Sequence, residues 1–208
     1  ATAAYKLHFI TISLVKAREF MINSAYMKFI VKIGKINEVK SDGRVEWNKE
    51  KKLGEIKIRY EGGQKIFIVG LGKDQLINAE FQKIAAKIGK KAKEEEIKNL
   101  ALSCPKTGRH PAEVVAEALV EGLLLGEYEF RKYKTHETNL SNLTNLEEVI
   151  ILVKNANEAV KVREEIVRAE IYSRATSLAR DLVNEPSSLT TPSYLAHLAE
   201  KLCKENGF

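Results

Sequence analysis

Residues 55–88, EIKIRYEGGQKIFIVGLGKDQLINAEFQKIAAKI, decide the fold. Glu55–Tyr60 alternates polar and apolar side chains, as a half-buried strand does. Gly62 and Gly63 supply a turn tolerant of positive φ, and Lys65–Val69 returns as a second strand. That second run is apolar almost throughout, which predicts a central place in its sheet. Gly70-Leu71-Gly72 breaks it. Ile77, Phe81, Ile84, Ala85 and Ile88 then recur at helical spacing, so the apolar period changes from two residues to about 3.6.

The same alternation extends in both directions. Upstream, Met27–Ile33 reads as a short strand, apolar at Phe29, Val31 and Ile33, and Met27 fits a natural start. Downstream, Ile97–Ser103 suits a strand. Pro111 opens a helix striped by Val114, Val115, Ala118 and Leu119. Residues 134–145 are polar and predict a surface loop, and Glu148–Val153 predicts a buried strand. Asn157 is placed to cap a long helix with Val167, Ile171, Ala175, Leu178 and Leu182 along one side, stopped by Pro186. A last helix starts at Thr191-Pro192 and ends near Asn206-Gly207. Strands alternating with helices predict an α/β domain with a mixed, largely parallel sheet.

The 208 residues can bury a core without covalent staples. Two cysteines, Cys104 and Cys203, lie far apart and make neither a disulfide framework nor a zinc knuckle, which fits a reducing cytoplasm. The net charge of +6 is uneven: residues 1–60 hold 13 Lys/Arg against 6 Asp/Glu. A basic end can attract nucleic acid, but no aromatic-interleaved basic motif accompanies it, so a solvated lysine-rich surface is the simpler reading. Leu7–Val15 is too short to span a bilayer, and Ser24-Ala25-Tyr26 makes a poor signal cleavage site. Asn139 and Asn142 match a glycosylation pattern that is incidental without a secretory signal.

Candidate chemistry is sparse. Gly70 and Gly72 follow a buried strand as in a dinucleotide fingerprint, but Gln75 stands where the third glycine is needed. His8, His110, His136 and His197 show no spacing that sets two imidazoles on one helix face. Cys104 precedes Pro105 in a loop without a companion motif for a nucleophile. Glu164, Glu165 and Arg168 read as solvated helix charges. No catalytic, cofactor-binding or metal residue is assigned.

One junction carries more information. Ala179–Ser188 (ARDLVNEPSS) followed by Leu189–Ala196 (LTTPSYLA) resembles the segment that enters the catalytic domain of leucyl (cytosol) aminopeptidases, "A-R-x-L-x-N-x-P" then "T-P-x-x-L-A". Ile66–Lys73 (IFIVGLGK) is similar to that family's "V-G-L-G-K" strand and turn. Ala116–Lys134 (AEALVEGLLLGEYEFRKYK) is similar to its helix exit, and the order and spacing of the pieces agree.

The resemblance covers residues 27–208 and implies a macro-domain-like layered domain at 27–155, its sheet flanked by helices. It further implies a linking helix at 156–185 and the truncated start of a catalytic domain at 186–208. Residues 1–26 are then an extension of unknown role. It also implies a parent metallo-aminopeptidase that uses two divalent metals, manganese or zinc, to release N-terminal amino acids from peptides. Such a parent is a cytoplasmic homo-hexamer whose partners are its own catalytic domain, sister subunits and peptide substrates. The family's "N-T-D-A-E-G-R" metal run and "G-K-G" lysine strand do not occur here, so this segment alone is expected to be inactive. Two other readings remain: a macro-like module for ADP-ribose or another nucleotide near Gly70–Gly72, and a DNA-binding module using the basic first 60 residues.

Overall fold

The opening segment folds as its alternation requires. In the computed structural model, which describes residues 27–72, 76–106, 110–130, 132–133 and 146–207, Ile56–Glu61 and Gln64–Gly70 pair antiparallel across the Gly62-Gly63 turn. Both glycines take positive φ, 57° and 81°, which matches the twist a tight hairpin needs. The elements in chain order are β1 (Lys28–Ile33), β2 (Gly43–Asn48), β3 (Ile56–Glu61), β4 (Gln64–Gly70), α1 (Asn78–Glu94), β5 (Asn99–Ser103), α2 (Ala112–Glu127), β6 (Glu148–Val153), α3 (Ala156–Asn184) and α4 (Pro192–Asn206). Residues 1–26, Gln75, His136, Asn139, Asn142 and the 134–145 loop lie outside the described residues.

The six strands run β1-β6-β5-β2-β4-β3, parallel throughout except for the β3 edge. The sheet is therefore mixed and largely parallel, as the alternation predicts. Strand β4 sits inside it, between β2 and β3. Strand β2 was not foreseen from the sequence. Its segment GRVEWN interleaves Arg44 and Glu46 with Val45 and Trp47, and of these four side chains only Val45 is fully buried. It is held by polar anchors instead. The Asp42 carboxylate accepts from the amides of Lys98 (3.1 Å) and Asn99 (2.9 Å), and the Trp47 indole donates to the Ser103 carbonyl (2.6 Å). These bonds tie both ends of β2 to β5.

Alternate residues of the central strands face opposite sides of the sheet. Leu100, Leu102, Val149, Ile151 and Val153 join α1, α2 and the start of α3 in one core. Ala101, Ile150 and Leu152 face the other way, with Ile36 and Val39 packed on them. Helix α2 lies tightly on α1: a Cβ at Gly122 would collide with the Gln82 backbone. The Gln82 side chain also donates to Glu121.

Four local expectations need correction. Ile77 precedes α1 and is 56% exposed, because the chain is still extended there. Ile33 is likewise exposed at the end of edge strand β1. Asn155, rather than Asn157, caps α3: its Oδ1 accepts from the Glu158 amide at 2.9 Å, while the Glu158 carboxylate reaches back to the Lys154 amide. The buried stripe of α3 is Ala159, Val162, Ile166, Ala169 and Ser173, and Ile171 faces solvent. At its far end, α4 has Thr191 as N-cap, Pro192 in the first turn and Gly207 in the left-handed region at φ 77°, as the sequence predicts.

The chain divides into two compact units. One is Tyr26–Ala179, the α/β layer just described. The other includes Arg180–Phe208, where α4 has no buried residue among those described. No helix among the described residues is long and apolar enough to cross a membrane.

Candidate functional site

A concavity among the described residues follows from the parallel topology. Strands β5 and β6 are neighbours, both end at the same edge of the sheet, and each leads into a helix. The N-termini of α2 and α3 therefore converge over the strand ends, the usual place for a ligand crevice in an open α/β sheet. The cavity there measures about 470 Å³, and its walls include Cys104, His110, Glu113, Lys154, Glu158 and Lys161. Lys161 of α3 pairs with Glu113 of α2 at 3.5 Å, which ties the two helix starts together.

The chemistry on offer in this cavity is limited. Burial above all, with help from Glu158 and Glu113 and against Lys154, pushes the Cys104 thiol up to about 12. A thiol held so high is not a nucleophile near neutral pH. Glu158 is spent on the Lys154 amide and Glu113 on Lys161. Sequence reasoning singled out Cys104 and His110 separately, and the fold brings them to one cavity. Glu113, Lys154 and Lys161 were not singled out. The available signal was positional, since each lies at or near a helix start that follows a strand of this sheet.

Gly70–Gly72 is a structural turn. The amide of Gly70 donates to Glu55, that of Leu71 to Asn48 and that of Gly72 to Lys51, at 2.8–3.0 Å. A phosphate cradle needs free amides aimed at the ligand, and all three are committed to the 48–55 loop. A Cβ at Gly70 would also be driven into the Lys52 carbonyl, so close backbone approach explains the glycine.

The other candidates stay apart. The His197 ring nitrogen Nδ1 lies 2.7 Å from the Ser193 carbonyl within α4, and His8 and His136 are outside the described residues. Arg168 pairs with Glu165 one turn away at 2.9 Å. Glu117 of α2 has its carboxyl raised by partial burial, then by Glu165 and Glu121. Among the described residues no group of three or more His, Cys, Asp or Glu side chains could hold a metal ion.

Comparison with known proteins supplies what the cavity does not. Residues 34–137 match the N-terminal domain of the cytosol aminopeptidase family. A probable cytosol aminopeptidase of Sulfurihydrogenibium sp. is 32% identical over 157 residues, covering 75% of this chain and 29% of that protein. One from Alkaliphilus metalliredigens is 29% identical over 88% of this chain and 41% of its own length. The chain thus spans less than half the length of these relatives. A mutant of tomato leucine aminopeptidase shares the fold, with a TM-score of 0.74 over 88% of this chain and 43% of its own, at 18% identity. The bottromycin maturation enzyme BotP in complex with Mn superposes with a TM-score of 0.61 at 25% identity, over 79% of this chain and 36% of its own. With half of its residues matching that domain, the chain belongs to the cytosol aminopeptidase family.

Proposed function

We propose that residues 27–208 are the non-catalytic N-terminal part of a two-metal leucyl aminopeptidase, an enzyme that releases N-terminal amino acids from peptides. The family match over residues 34–137 carries this reading. In it, 27–155 is the α/β domain, 156–185 the linking helix and 186–208 the entry to the catalytic domain, with 1–26 an extension. The parent enzyme works in the cytoplasm as a homo-hexamer, and sister subunits and its own catalytic domain are the partners of this segment.

The metals are two divalent ions, manganese or zinc; the Mn complex of BotP supports a divalent-metal chemistry. Such ions activate water and polarise the scissile carbonyl. Neither a metal ligand nor a catalytic residue is assigned to this segment, because the family's "N-T-D-A-E-G-R" run and "G-K-G" strand do not occur in it. Its role is scaffold and assembly.

The test is hydrolysis of leucine amide by the full-length gene product with and without added manganese. Metal-dependent release of leucine is expected, and a full-length product inert toward leucine amide with either manganese or zinc would overturn the reading.

A further inference from the structure

Helices α1 and α2 meet through their smallest residues. A Cβ on Gly122 would run into the Gln82 backbone, and one on Gly126 would lie 2.7 Å from the Ala86 Cα. On the α1 side, Gly89 receives α2: a Cβ there would lie 3.5 Å from Leu123 Cδ2 and 4.0 Å from Glu127 Cγ. Backbones this close hold each other by shape, and a small displacement forfeits the contact.

The last side chain of this seam is an acid. Glu127 ends α2, and its Oε1 is buried without a hydrogen-bond partner among the described residues. From α1, the charged group that acts on it is Lys93; from the start of β6, it is the Leu146 backbone. The carboxylates that follow Leu146 turn elsewhere: Glu147 pairs with Lys98 at 2.9 Å and Glu148 with Lys28 at 4.0 Å. On α2 itself, Glu121 accepts from Gln82. A buried carboxylate with one dry oxygen is costly when charged, and the cost is relieved once water reaches it. The shortest way to admit water is to lift the last turn of α2 off Gly89.

We propose that Glu127 makes the α1–α2 seam a proton-controlled clasp: while its carboxyl is neutral the last turn of α2 stays seated on α1, and on ionisation that turn opens locally with the rest of the α/β unit folded. Burial holds the seated carboxyl at about 7, against Lys93 and the Leu146 backbone, whereas in the lifted turn it returns toward its usual 4.5. The lifted state therefore gives up the proton first. Opening is rarest below about pH 4.5, grows roughly tenfold per pH unit above it, and levels off near 7 after a rise of about 300-fold.

Native-state amide exchange reads this opening directly. In the 208-residue chain, protection factors at residues 124–127, corrected for the intrinsic rate, are expected to fall on the order of 40-fold from pH 5 to pH 7. The fall should persist unchanged in about 1 M urea, because lifting one turn exposes little surface. Glu127→Gln should abolish it. Lys93→Met, which removes the charge that lowers the carboxyl, should carry the rise in opening to higher pH. Residues 124–127 that share the urea sensitivity of the β6 amides at 149–152 would show that the turn opens only with the whole unit, and would overturn the clasp. Protection that is flat from pH 5 to pH 7, or a fall that survives Glu127→Gln, would overturn it as well.

Discussion

The carbonyl oxygen of Lys52 occupies the space that a side chain on Gly70 would need. The Gly-Leu-Gly turn is thereby explained by packing of the 48–55 loop onto the end of β4. Gly70→Ala should force that loop away and destabilise the chain by about 1–3 kcal/mol. Denaturant unfolding would show this as a lower midpoint with an unchanged slope. An unaltered midpoint would reopen the question of why glycine stands there.

Glu127, near the end of α2, gives the fold a pH dependence. Its Oε1 is buried without a hydrogen-bond partner among the described residues. Burial raises the carboxyl to about 7, against smaller opposite effects from Lys93 and the Leu146 backbone. The folded state therefore holds this proton more tightly than the unfolded chain, whose carboxyl titrates near its usual value of 4.5. Stability from this group is complete below about pH 4.5, is lost as pH rises toward 7, and is flat above. Glu127→Gln should flatten that slope and raise the melting temperature at pH 8, by an amount on the order of 2–3 kcal/mol of stability. Melting curves from pH 5 to 8 are the measurement, and parallel profiles for the two proteins would contradict the assignment.

The cap of α3 separates two neighbouring asparagines. Asn155→Ala removes the acceptor for the Glu158 amide and should cost about 1 kcal/mol. Asn157→Ala, one residue inside the helix, should change little. Chemical denaturation of both variants decides between them, and an equal loss would place the cap wrongly.

The two thiols should also behave differently. Cys203 is exposed, whereas Cys104 is held protonated by burial. A thiol reagent at pH 8 should titrate one cysteine per native chain quickly and the second only on unfolding. Rapid reaction of both would show that the cavity at the ends of β5 and β6 opens readily.

Much of this architecture was legible in residues whose environment is local. The hairpin at 55–70 announces itself through alternation and Gly62-Gly63, and α4 through Thr191-Pro192 and Gly207. Strand β2 was overlooked although Arg44-Val45-Glu46-Trp47 alternates polar and apolar residues, because the run is short and Asp42 fixes it through partners more than 50 residues away. The stripe read on α3 is real, but the sheet selected the other side of the helix, and only tertiary packing makes that choice. The cavity was invisible for the same reason, since sheet order brings together two helix starts separated in sequence by β6 and the residues before it. No functional chemistry was legible in the residues themselves, and the family resemblance of the 179–196 junction and its companions carried that part.

The most direct test of the central claim uses the 208-residue chain itself. Purified and supplied with manganese or zinc, it is assayed for release of leucine from leucine amide. No release above the metal-only background is expected, because the segment frames an aminopeptidase without supplying its reacting groups. Robust, metal-dependent hydrolysis by these 208 residues would contradict the account.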